Sequence, residues 1–199
     1  MGEASDAVEA REQLVRAVIG LVAELGFEAV SVRQVAMRAD VSGGTVQYYF
    51  PTKQAMLLAA MAEVAARVTS TVTAYRRDLP PAAAVRKTAR KIVPLTKASD
   101  EEVRVWLAFT ARAAVDEDLA AEHRKTGGLL EAYLADLLAR AAGRTSGDPV
   151  DRANSAVLLA TLDGLALGAI TEPRRLPKRR LARLVDSAVD HAIESSKHG

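Results

Sequence analysis

Cysteine is absent from this 199-residue chain, and phenylalanine, tryptophan and tyrosine make up only 4% of it. Without cysteine the protein has no disulfide bond and no thiolate metal ligand, which fits a reducing cytoplasm. The three histidines are dispersed, and no GxSxG, HExxH or glycine-rich phosphate loop occurs. We therefore expect no catalytic residues, no metal, no cofactor and no enzyme activity.

The residues that are present describe a soluble globular protein, with 49% hydrophobic and 26% charged side chains. The N-terminal stretch MGEASDAVEA is acidic and lacks the basic start and apolar run of a signal peptide, so we expect no export. Apolar residues recur at helical spacing almost throughout, and no segment has the alternation typical of a strand. The sequence predicts an all-α fold and a cytoplasmic location.

Residues 31–54, SVRQVAMRADVSGGTVQYYFPTKQ, have the pattern of a helix-turn-helix unit. Ser31 and Ser42 are suited to cap its two helices, because a serine hydroxyl can accept a hydrogen bond from a free amide of the first turn. Ala39-Asp40-Val41 is the expected turn, since aspartate enters the left-handed region more readily than most residues. Such a unit is typical of proteins that read duplex DNA.

The second helix of this unit has only two large apolar residues, Val46 and Phe50, which we expect to face the core. At about 100° per residue, Gly44 and Tyr48 then lie at the centre of the opposite face, with Thr45 near it. Solvated helix faces are normally built from Glu, Lys, Arg and Ala, so a face of glycine, threonine, glutamine and tyrosine suits a DNA groove better. An ordinary helical corner with exposed aromatic side chains is the alternative.

Two residues flank this face, and two more begin the next helix. Gln47 lies on one edge, where its amide can pair with adenine through two hydrogen bonds, and Tyr49 lies on the other. Thr52 is expected to cap the next helix, with Lys53 in its first turn. A cation is disfavoured at that positive helix end, so the position of Lys53 is explained if it helps the free amides to hold a DNA phosphate.

This region resembles the TetR family of bacterial transcription regulators. The resemblance runs from Arg11 to Leu57 and rests on Arg11, Ala17, Gly26, Phe27, Val35-Ala36, Val41-Ser42, Gly44-Thr45-Val46, Tyr49-Phe50 and Lys53. The chain departs from the family at Asp40, which replaces the usual turn glycine, and at Gly43, which replaces a polar or basic side chain. The resemblance implies DNA contacts from Ser31, Thr45, Gln47, Tyr48, Tyr49 and Lys53. We add Arg33, Gly44 and Thr52 as further candidates.

The predicted DNA-binding segment is not basic. Residues 1–55 contain five lysines and arginines against seven aspartates and glutamates, a net charge of −2. Affinity for DNA must therefore come from local phosphate contacts and helix termini, doubled by dimerisation, rather than from a broad positive field. A cationic run lies near the other end of the chain, at Arg174, Arg175, Lys178, Arg179, Arg180 and Arg183. Such a run is usually a solvated loop and helix face, and the alternative is binding of an anionic partner.

We place the domain boundary inside a helix rather than in a linker. This helix, from Thr52 to about Arg77, would join a DNA-binding domain of residues 1–55 to an effector-binding and dimerisation domain of residues 56–199. Further along the chain, Ser99-Asp100-Glu101-Glu102 is predicted to be a capping box at the start of a helix. The helix that supports the DNA-reading unit is expected to have an apolar stripe at Val15, Val18, Ile19, Val22 and Leu25.

Residues 156–170, AVLLATLDGLALGAI, are apolar around the whole helix except at Thr161 and Asp163. This run is too short for a membrane span and has an aspartate inside it, so it must be buried on all sides by protein. A second subunit would bury it most easily, and in the TetR family the last two helices form such an interface. A purely intrachain core helix is the alternative. The residues predicted at the dimer interface are Ala160, Gly164, Leu165, Gly168, Leu184 and Ala188.

A buried Asp163 would need a partner, either as a hydrogen-bonded structural acid or as a polar group in a pocket for a small-molecule effector. Aromatic side chains outside the N-terminal domain are the other candidates for lining such a pocket. Each of them can equally be simple core. The full set of candidates is Tyr75, Trp106, Phe109, Arg112, Tyr133 and Asp163.

The sequence therefore predicts a homodimeric, ligand-responsive DNA-binding transcriptional regulator, and the resemblance implies a repressor. Such a dimer would bind a near-palindromic double-stranded operator and be released by a small, mostly apolar effector, with no membrane partner. The alternative is a helical small-molecule binding protein with a weak or vestigial DNA-binding head. Binding to promoter DNA would separate the two.

Overall fold

The computed structural model describes residues 2–145 and 148–198, with side chains from residue 7 onward. Within these residues the chain forms nine α-helices and one short 3-10 turn, Phe27–Ala29, so the all-α prediction is confirmed. The helices are α1 (Gly2–Leu25), α2 (Val32–Ala39), α3 (Gly43–Tyr49), α4 (Lys53–Asp78), α5 (Pro81–Lys91), α6 (Lys97–Ala113), α7 (Glu117–Ala141), α8 (Pro149–Thr171) and α9 (Lys178–Lys197).

These helices form two compact units. The first unit comprises Met1–Ala66 and Arg104–Ala120, and the second comprises Arg67–Val103 and Ala121–Gly199. The two units share α4, which runs without interruption from Lys53–Asp78. The covalent connection between Ala66 and Arg67 is therefore helical.

The core of the first unit is built around α1. Val18, Val35 and Val46 come from α1, α2 and α3, and all three are fully buried in one cluster of apolar side chains. Phe109 of α6 belongs to the same cluster and is also fully buried. Apolar residues at helical spacing on each of these elements thus meet in a single core, which holds the helix-turn-helix unit rigidly.

Two predictions about helix ends are wrong. Leu25 was expected in the apolar stripe of α1 but is 57% exposed, because α1 ends there and Gly26, with φ of 79°, turns the chain away. Ser99 does not start α6, which begins at Lys97. Thr96 caps it instead: its hydroxyl accepts a hydrogen bond from the Ser99 amide at 3.1 Å, and the Ser99 hydroxyl accepts one from the Thr96 amide at 3.0 Å.

In the second unit, ion pairs hold α9 against α5. The Arg90 Nε donates to Asp186 Oδ1 at 3.0 Å, and the Arg86 Nη1 lies 3.4 Å from the same oxygen. The hydrogen bond from Arg90 keeps the pKa of Asp186 below its ordinary value. The carboxylate therefore stays charged, and paired with both guanidinium groups, to lower pH than a free aspartate would.

A buried carboxylate fastens α8 to α9 at one end of the pair. Asp151, in the first turn of α8, is fully buried and accepts a hydrogen bond from the Arg144 Nη2 at 2.6 Å. The Arg144 Nη1 donates to the Ser196 carbonyl at 2.7 Å, and the Asn154 amide donates to the Ser196 hydroxyl at 3.0 Å. Because the start of α8 meets the end of α9, the two helices are antiparallel and their connecting loop lies at the opposite end.

Candidate nucleic-acid interface

The helix-turn-helix unit forms with the predicted caps and turn. The Ser31 hydroxyl accepts from the Gln34 amide at 3.3 Å, and the Ser42 hydroxyl accepts from the Thr45 amide at 3.0 Å. Asp40 takes the left-handed conformation, with φ of 52° and ψ of 48°. The backbone of the unit is therefore set by short-range interactions that the sequence specifies directly.

The outward face of α3 is the one that helical spacing predicts. Val46 and Phe50 are buried, whereas Gly44, Gln47 and Tyr48 are exposed, and 82% of Tyr48 is accessible to solvent. The Gln47 amide makes no hydrogen bond within the part of the chain that is described. Both of its donors and its acceptor are therefore available to a base edge.

Two side chains of α3 are partly engaged inside the protein. The Thr45 hydroxyl lies 2.9 Å from the hydroxyl of Ser42, so it is hydrogen-bonded to the residue that caps α3. Tyr49 is half-buried against the core, and its ring meets the Tyr48 ring edge-on with centroids 5.0 Å apart. Tyr48 is therefore held at a defined angle by Tyr49, and it offers most of its surface outward.

Residues on α2 and at the start of α4 extend this face. Ser31, Arg33 and Thr52 are exposed, and the Thr52 hydroxyl accepts from the Ala55 amide at 3.0 Å, as a cap should. Lys53 is already engaged in the protein. Its Nζ donates to the Glu28 carbonyl at 2.8 Å, lies 3.6 Å from the Glu28 carboxylate, and sits 4.6 Å from the ring centre of the nearby Phe27.

A groove of about 120 Å³ lies beside Lys53 in the first unit. Its walls include Gln54, Arg112 and Asp116, and the Gln54 amide donates to the Asp116 carboxylate at 3.2 Å. Asp116 also accepts from the Leu119 amide at 3.1 Å and so caps α7. Sequence reasoning missed this link because Gln54 and Asp116 are 62 positions apart, and only tertiary packing brings α4 to the α6–α7 corner.

The residues predicted to line an effector pocket are divided between the two units. Trp106, Phe109 and Arg112 belong to the first unit, where the Trp106 and Phe109 rings stack at 6.4 Å. Tyr75 and Tyr133 belong to the second unit. There the Tyr133 hydroxyl donates to a backbone carbonyl of α4, and burial raises the pKa of Tyr133 above its ordinary value.

A larger groove, of about 390 Å³, opens between α7 and α8 in the second unit. Its walls include the charged side chains of Glu131, Asp136 and Arg152 beside two alanines, and none of its described lining residues is aromatic. The predicted burial of Asp163 would require a second subunit, because the single chain does not bury it. Asp163 lies on the exposed side of α8, because only one side of that helix packs against the rest of the unit.

The residues predicted at a dimer interface occupy different environments. Ala160 and Gly164 are exposed on one side of α8, and a Cβ added to Gly164 would meet no atom within 4 Å. Leu165 and Ala188 are partly buried, and Leu184 is 36% exposed. Gly168 is buried inside the protein, where a Cβ would approach the Leu176 and Arg175 side chains to less than 3.0 Å.

An exposed reading face on a helix-turn-helix unit, carried by an all-helical chain, defines a DNA-binding transcription regulator. Residues 14–60 match the family model for bacterial regulatory proteins of the tetR family, and residues 81–194 match the model for the C-terminal region of BetI-type transcriptional repressors. The chain belongs to the TetR family of transcription regulators, with a C-terminal domain of the BetI type. Membership of this family confirms the resemblance seen in the sequence and the prediction that the protein is not an enzyme.

Similar proteins match over nearly the whole chain. The transcriptional regulator PksA of Bacillus subtilis is 33% identical over 90% of this chain and 88% of its own length. The regulator BetI of Stenotrophomonas maltophilia is 26% identical over 94% of each chain. A crystal structure of a transcriptional regulator from Rhodococcus sp. Rha1 is 34% identical, covers 92% of this chain and 96% of its own, and superimposes with a TM-score of 0.82.

One structure of the same fold contains a ligand. A transcriptional regulator from Saccharomonospora viridis, in complex with choline, has a TM-score of 0.82 at 18% identity and covers 92% of this chain and 97% of its own.

Two helices of the present chain, α4 and α8, are long and apolar enough to cross a membrane, as core helices of soluble proteins also are. With 23 residues, α8 is longer than the apolar run 156–170, whose shortness was the sequence argument against a membrane span. Family membership now supports the soluble assignment.

Proposed function

We propose that this protein is a cytoplasmic repressor that binds a near-palindromic operator as a homodimer and is released by a small-molecule effector. The observation that carries the proposal is the exposed face of Gly44, Gln47 and Tyr48 on a rigidly capped helix. A two-fold dimer would present two copies of this face to successive major grooves. The same face, if it binds operator DNA, excludes the alternative of a small-molecule binding protein with a vestigial head.

Replacing Gln47 with alanine should relax base preference at one symmetric pair of operator positions, by about 1–3 kcal/mol for each lost bidentate contact. The amide has no partner inside the described protein, so its loss leaves the fold intact. Gel-shift titrations of wild-type and variant protein against single-base operator variants measure the effect. If Gln47→Ala ranks all operator variants as the wild type does, Gln47 does not read a base.

Lys53→Ala should weaken binding to every DNA sequence alike and reduce the salt dependence by about one ion-release unit per head. Lys53→Arg is the matched control, because it keeps the charge and should keep the slope. Lys53 also holds the Phe27–Glu28 turn, so thermal unfolding of both variants is measured in parallel. An unchanged salt slope for Lys53→Ala would remove Lys53 from the phosphate contacts and leave it a structural role.

Dimerisation is supported by an apolar stripe on the exposed side of α8. Val157 is 62% exposed and Leu167 is 49% exposed, and helical spacing places Ala160 and Gly164 between them. These four residues along one helix face form an exposed apolar patch, and contact of such a patch with water is unfavourable. The small residues of this stripe, Ala160 and Gly164, permit a partner helix to approach closely. Gly168 instead makes room for Leu176 of its own chain.

The effector proposal rests on the continuous helix α4. A mostly apolar ligand that binds one conformer of the second unit more tightly would bias α4, whose first turn joins the reading head. Choline, found in the Saccharomonospora viridis regulator, is a second candidate. Aromatic side chains usually hold such a quaternary ammonium group, and the groove between α7 and α8 has none, so choline would need another site built on Tyr75 or Tyr133.

Linkage provides the test of induction. Operator DNA must weaken the binding of a true inducer by the same factor by which the inducer weakens DNA binding. Calorimetric titration of choline and of a panel of apolar ligands, each with and without operator, measures both affinities. Any ligand whose affinity is equal in the two titrations is rejected as the inducer, however tightly it binds.

A further inference from the structure

The loop that joins α8 to α9, and the first turns of α9, form a densely charged surface. Residues 172–183 contain six arginines and lysines and one glutamate, a net charge of +5, although the whole chain is only +2. All seven of these side chains are exposed. This short segment therefore carries a dense positive charge that could attract a polyanion, in contrast to residues 1–55, whose net charge is −2.

Four of the six cations make no hydrogen bond or ion pair within residues 2–145 and 148–198. They are Arg174, Lys178, Arg179 and Arg183. The other two hold the loop: Arg175 pairs with Glu172 at 2.6 Å, and Arg180 Nη1 donates to the Arg175 carbonyl at 3.0 Å. The contacts that hold the loop are therefore made by Arg175 and Arg180, and the four unpaired cations are not needed for them.

The loop is also anchored from below. Leu176 is 4% exposed and packs over α8, in space that exists because residue 168 is a glycine. The amides of Arg175 and Leu176 both donate to the Glu172 carbonyl, at 2.9 and 3.0 Å. Because the backbone of this segment is already fixed, only its side chains have to be ordered when it binds.

These cations do not stabilise the helix on which they lie. Pro177 offers no side-chain cap, the first turn of α9 has no acidic residue, and Lys178, Arg179 and Arg180 all stand at the positive end of the helix dipole. Three cations at that end repel one another and the free amides. Solvent and salt screen part of this repulsion, and a bound anionic ligand would relieve it further.

We propose that Arg174, Lys178, Arg179 and Arg183 form a second DNA-binding surface, which contacts the phosphate backbone without reading sequence. The proposal extends the proposed operator binding. Residues 1–55, with a net charge of −2, offer only local phosphate contacts, and this surface adds the sequence-independent electrostatic attraction on which DNA affinity largely depends. A membrane partner fits less well, because the leucines of the segment, Leu176 and Leu181, are buried and leave no large apolar side chain to insert.

The test compares two variants that each remove three positive charges from the second unit. One is Lys178→Gln, Arg179→Gln and Arg183→Gln in the proposed surface. The control is Lys87→Gln, Lys97→Gln and Arg152→Gln, which are exposed side chains with no partner among the described residues. Neither variant removes a contact, so circular dichroism and thermal unfolding should match the wild type.

Binding to a 30-base-pair duplex of unrelated sequence is measured from 50 to 300 mM salt. We expect the surface variant to bind at least about tenfold more weakly near 0.15 M salt, and its salt slope to fall by up to about 2.7 per protomer, since each neutralised phosphate contributes about 0.9. The control should change the slope by less than one. Equal slopes for the two variants would overturn the proposal.

Two further probes identify the partner. If the surface variant loses binding to polyglutamate or to vesicles rich in anionic phospholipid, but keeps the wild-type slope on the duplex, the surface serves another partner and the proposal is overturned.

The order of affinities for single-base operator variants is measured with the same proteins. Because a backbone contact weakens all sequences alike, the surface variant should keep the wild-type order of operator variants. An altered order in the Gln47→Ala variant alone tests the head separately, so failure of one proposal is distinguishable from failure of the other.

Discussion

Gly164→Leu should abolish dimerisation while leaving the protomer folded. Apart from the backbone of its own helix, nothing lies within 4 Å of a Cβ at this exposed position, and leucine favours the helix by about 1 kcal/mol over glycine. Across a dimer interface that uses this face, the same side chain would block close helix approach. Operator affinity should then fall by about 10²–10⁴-fold, because the two heads no longer bind as one unit.

Gly127→Leu is the matched control for this substitution. Gly127 also lies within a helix, with no atom within 4 Å of an added Cβ, but on α7 rather than α8. Sedimentation and gel-shift titration of both variants measure assembly and DNA binding. A Gly164→Leu protein that sediments as a dimer with normal operator affinity would move the interface away from the stripe that includes Val157 and Leu167.

Phe109→Ala should destabilise the first unit by about 3–5 kcal/mol, the usual cost of emptying a core phenylalanine site. Phe109 is fully buried in the core that also holds Val18, Val35 and Val46, although the sequence made it a candidate for the effector pocket. Trp106, the single tryptophan of the chain, stacks on Phe109, so its fluorescence reports unfolding of this unit in urea.

Phe109→Leu is the control, because it keeps most of the buried volume and should cost much less than the alanine variant. Both variants are also titrated with candidate effectors. If Phe109→Ala lowers the free energy of unfolding by less than about 1 kcal/mol but weakens an effector strongly, Phe109 lines a ligand pocket and its assignment to the core is incorrect.

The helix-turn-helix unit could be predicted in detail because its structure depends on neighbours in sequence. Ser31 and Ser42 cap amides three positions away, and Asp40 adopts the left-handed turn by its own preference. Val46 and Phe50 fix the inner side of α3 through helical spacing alone, which places Gln47 and Tyr48 outside. Where several serines and threonines competed for one cap, as at Thr96 and Ser99, local preference was ambiguous and the prediction failed.

Other features depend on residues far apart in the chain. The sequence made Phe109 and Arg112 candidates for an effector pocket, but only packing of α6 places Phe109 in the core of the first unit and brings Asp116 to Gln54. A uniformly apolar helix looks buried on every side, and the tertiary structure decided that one side of α8 in the single chain, with Asp163 on it, faces solvent.

The charge on the chain shows the same division. Composition and spacing by themselves determined an all-helical chain with a helix-turn-helix unit and a head that is not basic, because short-range helical periodicity and capping depend on adjacent residues. Only the tertiary structure decided which cations form ion pairs inside the protein, as Arg86, Arg90 and Arg144 do. It also decided which cations remain available to a partner, as Arg179 and Arg183 do. An ion pair requires two groups within a few ångströms, and the folded backbone alone sets that distance.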